Sequence, residues 1–505
     1  MEKISIQNYR SIRDSGQIEL KPLTVMVGRN SAGKSSFIRL FPLLKQTLER
    51  EIADSILWYG DYVDLGDYEH ALCRNNKGQP MRLSFMINVQ PRRRGVFFGK
   101  NRTEKEYMAN VEIAINEKYF EEVNITFFDQ KIKLLMTEDG DAKVYVNDDI
   151  TILDKYKLGW FRDSANLLPS IVEERTDNSR QKTFISMFRS EEVNSKCKKL
   201  VYGDDWKKET IFDSPYIYNE PDVPLGSKES ILDMLKKENY NKFEKTTVKH
   251  KRFLKINDYI IATKINTIIS ELNQSISMDM KQTNYVKPIR AMVDRYYRVQ
   301  GISIDELDAD GTNLPMILYN MKPEELDKFE KWSKEKFGVV FSVTQGIGHV
   351  SLIVKNDING SEITNVADTG YGYSQMLPIV VMLWMLHENN KKRSREKVSK
   401  TIVIEQPELH LHPAYQAKMI DVFVNVIDEA IKNRIDLKII FETHSEAMIN
   451  RIGRLISAKR FDAKNVNILV FDKEDGNTVV SSKMFNEKGL LIGWPMGFFT
   501  VDEVL

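Results

Sequence analysis

The spacing of apolar residues changes several times along the chain, and each change predicts an element. Ile4-Ser5-Ile6-Gln7-Asn8-Tyr9 alternates like a strand, Ile18-Glu19-Leu20 is a second strand, and the apolar run Leu23 to Val27 is a third. From residue 36 to 57, Phe37, Leu40, Phe41, Leu44, Leu48, Ile52 and Ile56 recur at helical spacing, and Pro42 inside that run predicts a kink. Short alternating segments follow at 81–89, 111–115, 122–128, 131–136 and 143–146. Their spacing and turn residues predict an antiparallel sheet.

Residues 151–285 are richer in Lys, Glu and Asn, and after Gly226 a broken helical stripe runs from Ile231 to Ile276. This predicts a helical insertion or arm, too short for a long coiled coil. The α/β pattern returns from residue 286. Strands are expected at 339–343, 350–354, 401–404, 437–441 and 467–471, and helices at 374–388 and 414–432. The β-branched run Thr401 to Ile404 suits a buried parallel strand. The expected organisation is an N-terminal lobe (1–150), the helical insertion (151–285) and a C-terminal lobe (286–505), in an α/β fold of mixed β-sheets with flanking helices.

A chain of 505 residues is too long for one ordinary core, which supports more than one domain. A net charge of +1 does not announce a nucleic-acid binder, so any such surface must come from local clusters. Two cysteines, Cys73 and Cys197, cannot make a disulfide framework, which fits a reducing cytoplasm. The longest near-apolar run, Met376 to Leu386, is shorter than the ~18 residues needed to span a bilayer. It reads as a buried helix, and no membrane role is expected.

Chemistry enters at Gly28-Arg29-Asn30-Ser31-Ala32-Gly33-Lys34-Ser35, the full G-x-x-x-x-G-K-S phosphate-binding loop, with a strand before it and a helix-compatible run from Ser36 after it. Its glycines let backbone N–H groups face a phosphate, Lys34 would reach the β- and γ-phosphates, and Ser35 would ligate Mg²⁺. Three further segments narrow the reading. Ile402-Val403-Ile404-Glu405-Gln406-Pro407-Glu408 is an apolar strand ending in acids, which can serve Mg²⁺ or polarise a water. Asp368-Thr369-Gly370-Tyr371-Gly372-Tyr373-Ser374-Gln375 places two glycines and a serine ahead of an apolar helix. Phe441-Glu442-Thr443-His444-Ser445 puts a histidine directly after a strand.

In this order the four segments resemble the ATP-binding-cassette type of P-loop ATPase head, shared by SMC chromosome-maintenance proteins, double-strand-break repair ATPases and the OLD group. The resemblance covers residues 1–90 and 286–495. It implies that Gly28 to Ser35 with Ser36 form Walker A, Glu405 ends Walker B and binds Mg²⁺ with Ser35, and Gly370, Gly372 and Ser374 belong to the signature. His410 to Pro413 would form the D-loop, His444 would sense the γ-phosphate, and Gln46 could serve as a Q-loop metal ligand. Glu405-Gln406-Pro407-Glu408-Leu409-His410-Leu411-His412-Pro413, Tyr285 to Ala291, and Gly493 to Phe499 look like stand-alone prokaryotic AAA-family ATPases, many of them in anti-phage defence. The nearest group is the Septu-type ATPase, also found with retrons.

That likeness implies an ATP- and Mg²⁺-dependent regulatory or sensor subunit that clamps ATP between two copies, as a homodimer or higher even-numbered assembly. It would control a separate HNH-type nuclease. The alternative is a DNA-repair ATPase that binds DNA directly. One departure matters: Gln406 stands where most cassette ATPases carry the catalytic Glu, and an amide cannot accept a proton as a carboxylate does. Either Glu408 substitutes or hydrolysis is slow, and slow turnover is the expectation. Basic clusters lie at Arg92 to Lys105, Lys242 to Lys255 and Lys391 to Lys400. The second is the better candidate for contacting DNA or RNA phosphates or a partner protein.

Overall fold

The computed structural model describes residues 1–76, 78–90, 106–154, 156–163, 166–176, 182–187, 191–202, 225–238, 243–301, 304, 306–355, 362–391, 399–474 and 476–494. Three sheets organise them. The central one has seven strands in the order Thr283–Val286, Ser399–Glu405, Asp436–Glu442, Leu23–Gly28, Val466–Glu474, Asn477–Phe485 and Leu491–Ile492. The first five run parallel and the last two add antiparallel.

The parallel strands are apolar on both faces because both faces are covered. Alternate residues go to opposite cores. Met26, Val403, Ile440, Leu469 and Phe471 join one core, while Val25, Val27, Ile402, Ile404, Ile439, Phe441, Ile468 and Val470 join the other. The second core is closed by the helices Tyr371–Lys391, Pro413–Lys432 and Glu446–Ser457. The first is closed by an eleven-stranded sheet, a meander running from Met81–Val89 out to Lys182–Met187, with Lys3–Tyr9 at its inner side. A four-stranded antiparallel sheet around Val340–Gly346 and His349–Lys355 completes the C-terminal part.

Most expected strands are present, generally longer by a few residues. Several expectations need correction. The helix expected over 36–57 is two helices, Lys34–Ile38 and Leu40–Glu49, broken at Arg39. Pro42 sits in the first turn of the second helix, where its missing N–H costs nothing, so it starts a helix instead of kinking one. Residues 50–57 leave the helix at Arg50, which is extended; Ile52 and Ile56 continue the helical spacing by coincidence.

The boundary expected at residue 150 does not separate two cores. Leu158–Phe161, Ser170–Thr176 and Lys182–Met187 extend the N-terminal meander, so the segment 151–285 is not wholly helical. Its helices Lys251–Thr263 and Ile265–Lys281 bury Phe253, Ile260, Ile268, Leu272 and Ile276 in the same core as the sheet. Asn273 also bonds the backbone of Leu168 in both directions, at 2.7 and 2.8 Å. This segment is therefore part of the lobe and not an appended arm. The prediction follows that Leu272→Ala, at a position with no exposure, costs about 2–5 kcal/mol. Urea unfolding would measure it, and a loss well under ~1 kcal/mol would fit a peripheral arm instead.

Candidate functional site

The strand Leu23–Gly28 delivers the phosphate loop to the C-terminal ends of the parallel strands, and the helix Lys34–Ile38 leads away from it. Two glycines are required by crowding. A Cβ at Gly28 would lie 2.2 Å from the Phe471 carbonyl oxygen, and one at Gly33, where φ is +102°, would lie 2.6 Å from Thr478 Oγ1. Lys34 is buried, and its Nζ donates to the carbonyls of Gly28 and Arg29, both at 2.9 Å. Burial lowers its pKa, opposed by the charge of Glu442.

The loop opens into a cleft of about 1190 Å³, lined by Asn30, Gly33, Lys34, Ser35, Ser36, Gln406, Glu442 and His444 among others. Arg10, Arg74 and Lys473 join Lys34 on its wall, so the cleft carries a surplus of positive charge suited to a polyphosphate.

The acids divide unexpectedly. Glu405 ends the strand Ser399–Glu405 as expected, but it does not face Ser35. Its Oε1 accepts from Arg39 Nε at 2.8 Å and from the Tyr285 hydroxyl at 2.6 Å, and its Oε2 accepts from Arg39 Nη2 at 2.9 Å. The carboxylate beside the loop is Glu442: Ser35 Oγ donates to its Oε2 at 2.7 Å, and Lys34 Nζ lies 3.9 Å from its Oε1. Burial raises the Glu442 pKa against the bond from Ser35 and the charge of Lys34. A hydroxyl and a carboxylate beside a phosphate loop are hard oxygen donors that fit Mg²⁺.

Gln406 lines the cleft from a left-handed backbone conformation, φ +47°. Glu408 does not line the cleft. Its Oε1 accepts from the backbone N–H of His444 at 2.7 Å, and burial raises its pKa. Its buried Oε2 has no hydrogen-bond partner among the described residues. Arg290, almost wholly buried, holds the turn between these acids: its Nη2 donates to the carbonyls of Glu405 at 3.0 Å and Gln406 at 3.4 Å. Burial lowers its pKa to about 10. His444 lines the cleft, and burial followed by the charge of Lys34 lowers its pKa, which favours the neutral ring at pH 7.

Gly370, Gly372 and Ser374 do not line this cleft. Gly370 precedes the helix Tyr371–Lys391, and Gly372 packs so close to the His410 carbonyl that a Cβ would sit 2.9 Å from it. Ser374 is buried, with its hydroxyl bonded to the Tyr371 carbonyl at 2.8 Å. The metal role expected for Gln46 does not fit. Its amide is buried and bonded at both ends, donating to Leu57 and Val63 carbonyls and accepting from the Val63 N–H.

Sequence reasoning gave no role to Glu442, Arg39, Tyr285 or Arg290. Glu442 stood inside the quoted histidine segment, and Tyr285 and Arg290 inside a segment singled out for its family likeness. Of the basic clusters, 91–105, Lys242 and 392–398 lie outside the described residues, while Lys245, Lys249, Lys251, Arg252 and Lys255 are exposed.

A loop built for phosphates, flanked by buried carboxylates and a histidine at the ends of adjacent parallel strands, defines a P-loop nucleotide-binding protein. The family profile described as AAA ATPase domain matches residues 1–449, and the chain belongs to that family of ATPases. A comparison with curated proteins finds no match. Similar solved structures include an SMC head bound to the C-winged helix domain of ScpA, at 12% identity and TM-score 0.35, covering 95% of this chain and 96% of the other. The SMC head domain from Thermotoga maritima matches at 8% identity and TM-score 0.33, covering 95% and 97%. A third is an SMC head with an extended coiled coil bound to the C-terminal domain of ScpA, derived from Pyrococcus furiosus, at 13% identity and TM-score 0.33, covering 95% of each chain. Among the described residues no helix is long and apolar enough to cross a membrane.

The environment of His444 gives a pH prediction. Its pKa lies below the ordinary 6.5 in the folded protein. Any stability linked to the neutral ring is therefore intact above that value and is lost as pH falls through the lowered one. NMR titration of histidine-labelled protein should place the His444 midpoint below 6.5, and Lys34→Ala should move it upward. A midpoint above the ordinary value would contradict the arrangement.

Proposed function

We propose that the chain is an ABC-type ATPase head that closes ATP between two copies of itself. In this reading it is the regulatory or sensor subunit of an anti-phage defence complex that controls a separate HNH-type nuclease. The observation that carries the ATP site is the convergence of Lys34, Ser35, Gln406, Glu442 and His444 on one cleft. The dimer is supported by the signature segment, since Gly370, Gly372 and Ser374 leave their own copy's cleft unlined and would act on a partner's. The helix they open is linked to the Walker B turn through Gln375, whose Oε1 accepts from the Arg290 backbone N–H at 3.4 Å. Nucleotide that binds only the closed pair would stabilise it by mass action.

In the mechanism, backbone N–H groups between Gly28 and Ser35 bind the β-phosphate and Lys34 neutralises the β/γ oxygens. His444, kept neutral, donates to the γ-phosphate. Ser35 with a neighbouring carboxylate would hold Mg²⁺, which offsets charge on the phosphates. Gln406 can orient a water but cannot take its proton, and Glu408 is directed to the His444 backbone, so neither of the two is set as a general base in the cleft.

Purified protein should therefore turn over below ~1 s⁻¹, under the ordinary enzyme range. Gln406→Glu should accelerate it by about tenfold or more, towards the ~10²–10⁴-fold that a positioned base supplies. A wild-type rate well inside the ordinary range, unchanged by Gln406→Glu, would contradict slow turnover. The regulatory role is tested by purifying wild type and Lys34→Ala from their native gene context. A nuclease that co-purifies supports it. Direct, salt-sensitive DNA binding by the protein alone, through the exposed Lys245 to Lys255 stretch, would favour a DNA-repair ATPase.

A further inference from the structure

The two strand-end acids, Glu405 and Glu442, are lateral partners on adjacent parallel strands, yet their surroundings differ in kind. Strand order is the first reason. Asp436–Glu442 lies directly beside the strand that carries the phosphate loop, whereas Ser399–Glu405 lies one strand further out. Neighbouring strands are spaced ~4.8 Å apart, so Glu442 starts one strand nearer the loop than Glu405.

The second reason is occupancy. Both oxygens of Glu405 are already taken by Arg39 in a bidentate pair, with the Tyr285 hydroxyl added on one of them. A cation approaching Glu405 would have to displace a guanidinium that neutralises it in a nearly dry site. The role this pairing performs is mechanical: it fastens Arg39, at the break between the two helices after the loop, to the end of the neighbouring strand. Glu442 has no such guanidinium pair. It accepts from Ser35 at 2.7 Å, faces Lys34 at 3.9 Å, and lines the cleft, which Glu405 does not.

We propose that Glu442, and not Glu405, is the carboxylate that holds Mg²⁺ with Ser35. The proposal rests on the ATPase reading and changes its metal site: the acid that serves the cation comes from the strand preceding His444, and the Walker B acid becomes a positioning residue. Ser35 and Glu442 supply the hard oxygens such a cation takes from protein, with phosphate and water completing its shell.

The test uses Mn²⁺ as the probe, followed by electron paramagnetic resonance with the full chain and a non-hydrolysable ATP analogue. Analogue binding in EDTA is measured in parallel by anisotropy. Glu442→Gln should weaken Mn²⁺ by about tenfold or more, on the scale set by removing a carboxylate that supports a metal. It should leave metal-free analogue binding in place. Glu442→Asp, which retains a carboxylate, should recover part of the loss, and Glu405→Gln should hold Mn²⁺ near the wild-type affinity. Circular dichroism confirms that each variant is folded. Loss of Mn²⁺ by Glu405→Gln with retention by Glu442→Gln overturns the assignment, and so does equal loss by both. If wild type fails to bind the analogue at all, the ATPase reading itself falls, a result distinct from a misplaced metal ligand.

Discussion

Everything at this site depends on the order of five parallel strands. Because Leu23–Gly28 lies between Asp436–Glu442 and Val466–Glu474, the phosphate loop emerges with a carboxylate on one flank and a crowding backbone on the other. Phe471 and Thr478 set the space that admits only glycine at positions 28 and 33. The same strands are sealed on both faces by apolar cores, so their ends cannot shift without opening one of them. Adjacent strands held in the middle of a sealed sheet are what let residues more than four hundred positions apart, Ser35 and Glu442, meet at hydrogen-bond distance.

Buried charge then fixes the turn around the cleft. Arg290 is nearly dry and spends its Nη2 on the carbonyls of Glu405 and Gln406, holding the left-handed backbone of Gln406 in place. From there Gln375 connects to the helix Tyr371–Lys391, while Glu408 binds the His444 backbone. Gln416 donates to the Leu411 carbonyl and accepts from Ser445, closing the ring between the segment after Glu405 and the segment after Asp436–Glu442. Groups that would contact nucleotide are thus tied to groups that would contact a second copy. Such a linkage transmits closure in either direction, because any coupling between two binding events is reciprocal.

Local features of this arrangement were legible in the sequence, and relations set by strand order were not. The phosphate loop and its flanking strand were readable because glycine spacing and an apolar run are contiguous. The meander strands were readable because alternation survives wherever one face is buried. Glu442 was unreadable as a partner of Ser35, since nothing in the chain states which strand lies next to the loop. Gln46 misled because the family resemblance offered it as a metal ligand, whereas its amide is consumed by the 57–63 segment. The strand at 170–176 was hidden by Glu173, Glu174 and Arg175, a charged run that reads as solvated surface until a sheet is there to extend.

The most direct test of the account is a high-resolution structure of the protein with Mg²⁺ and a non-hydrolysable ATP analogue. The account predicts triphosphate wrapped by Gly28 to Ser35, in contact with Lys34 and within reach of His444. It also predicts two copies facing each other, so that Ser374 of one approaches the γ-phosphate held by its partner. Nucleotide bound elsewhere, or held by a single copy with the signature helix remote from any phosphate, would contradict it.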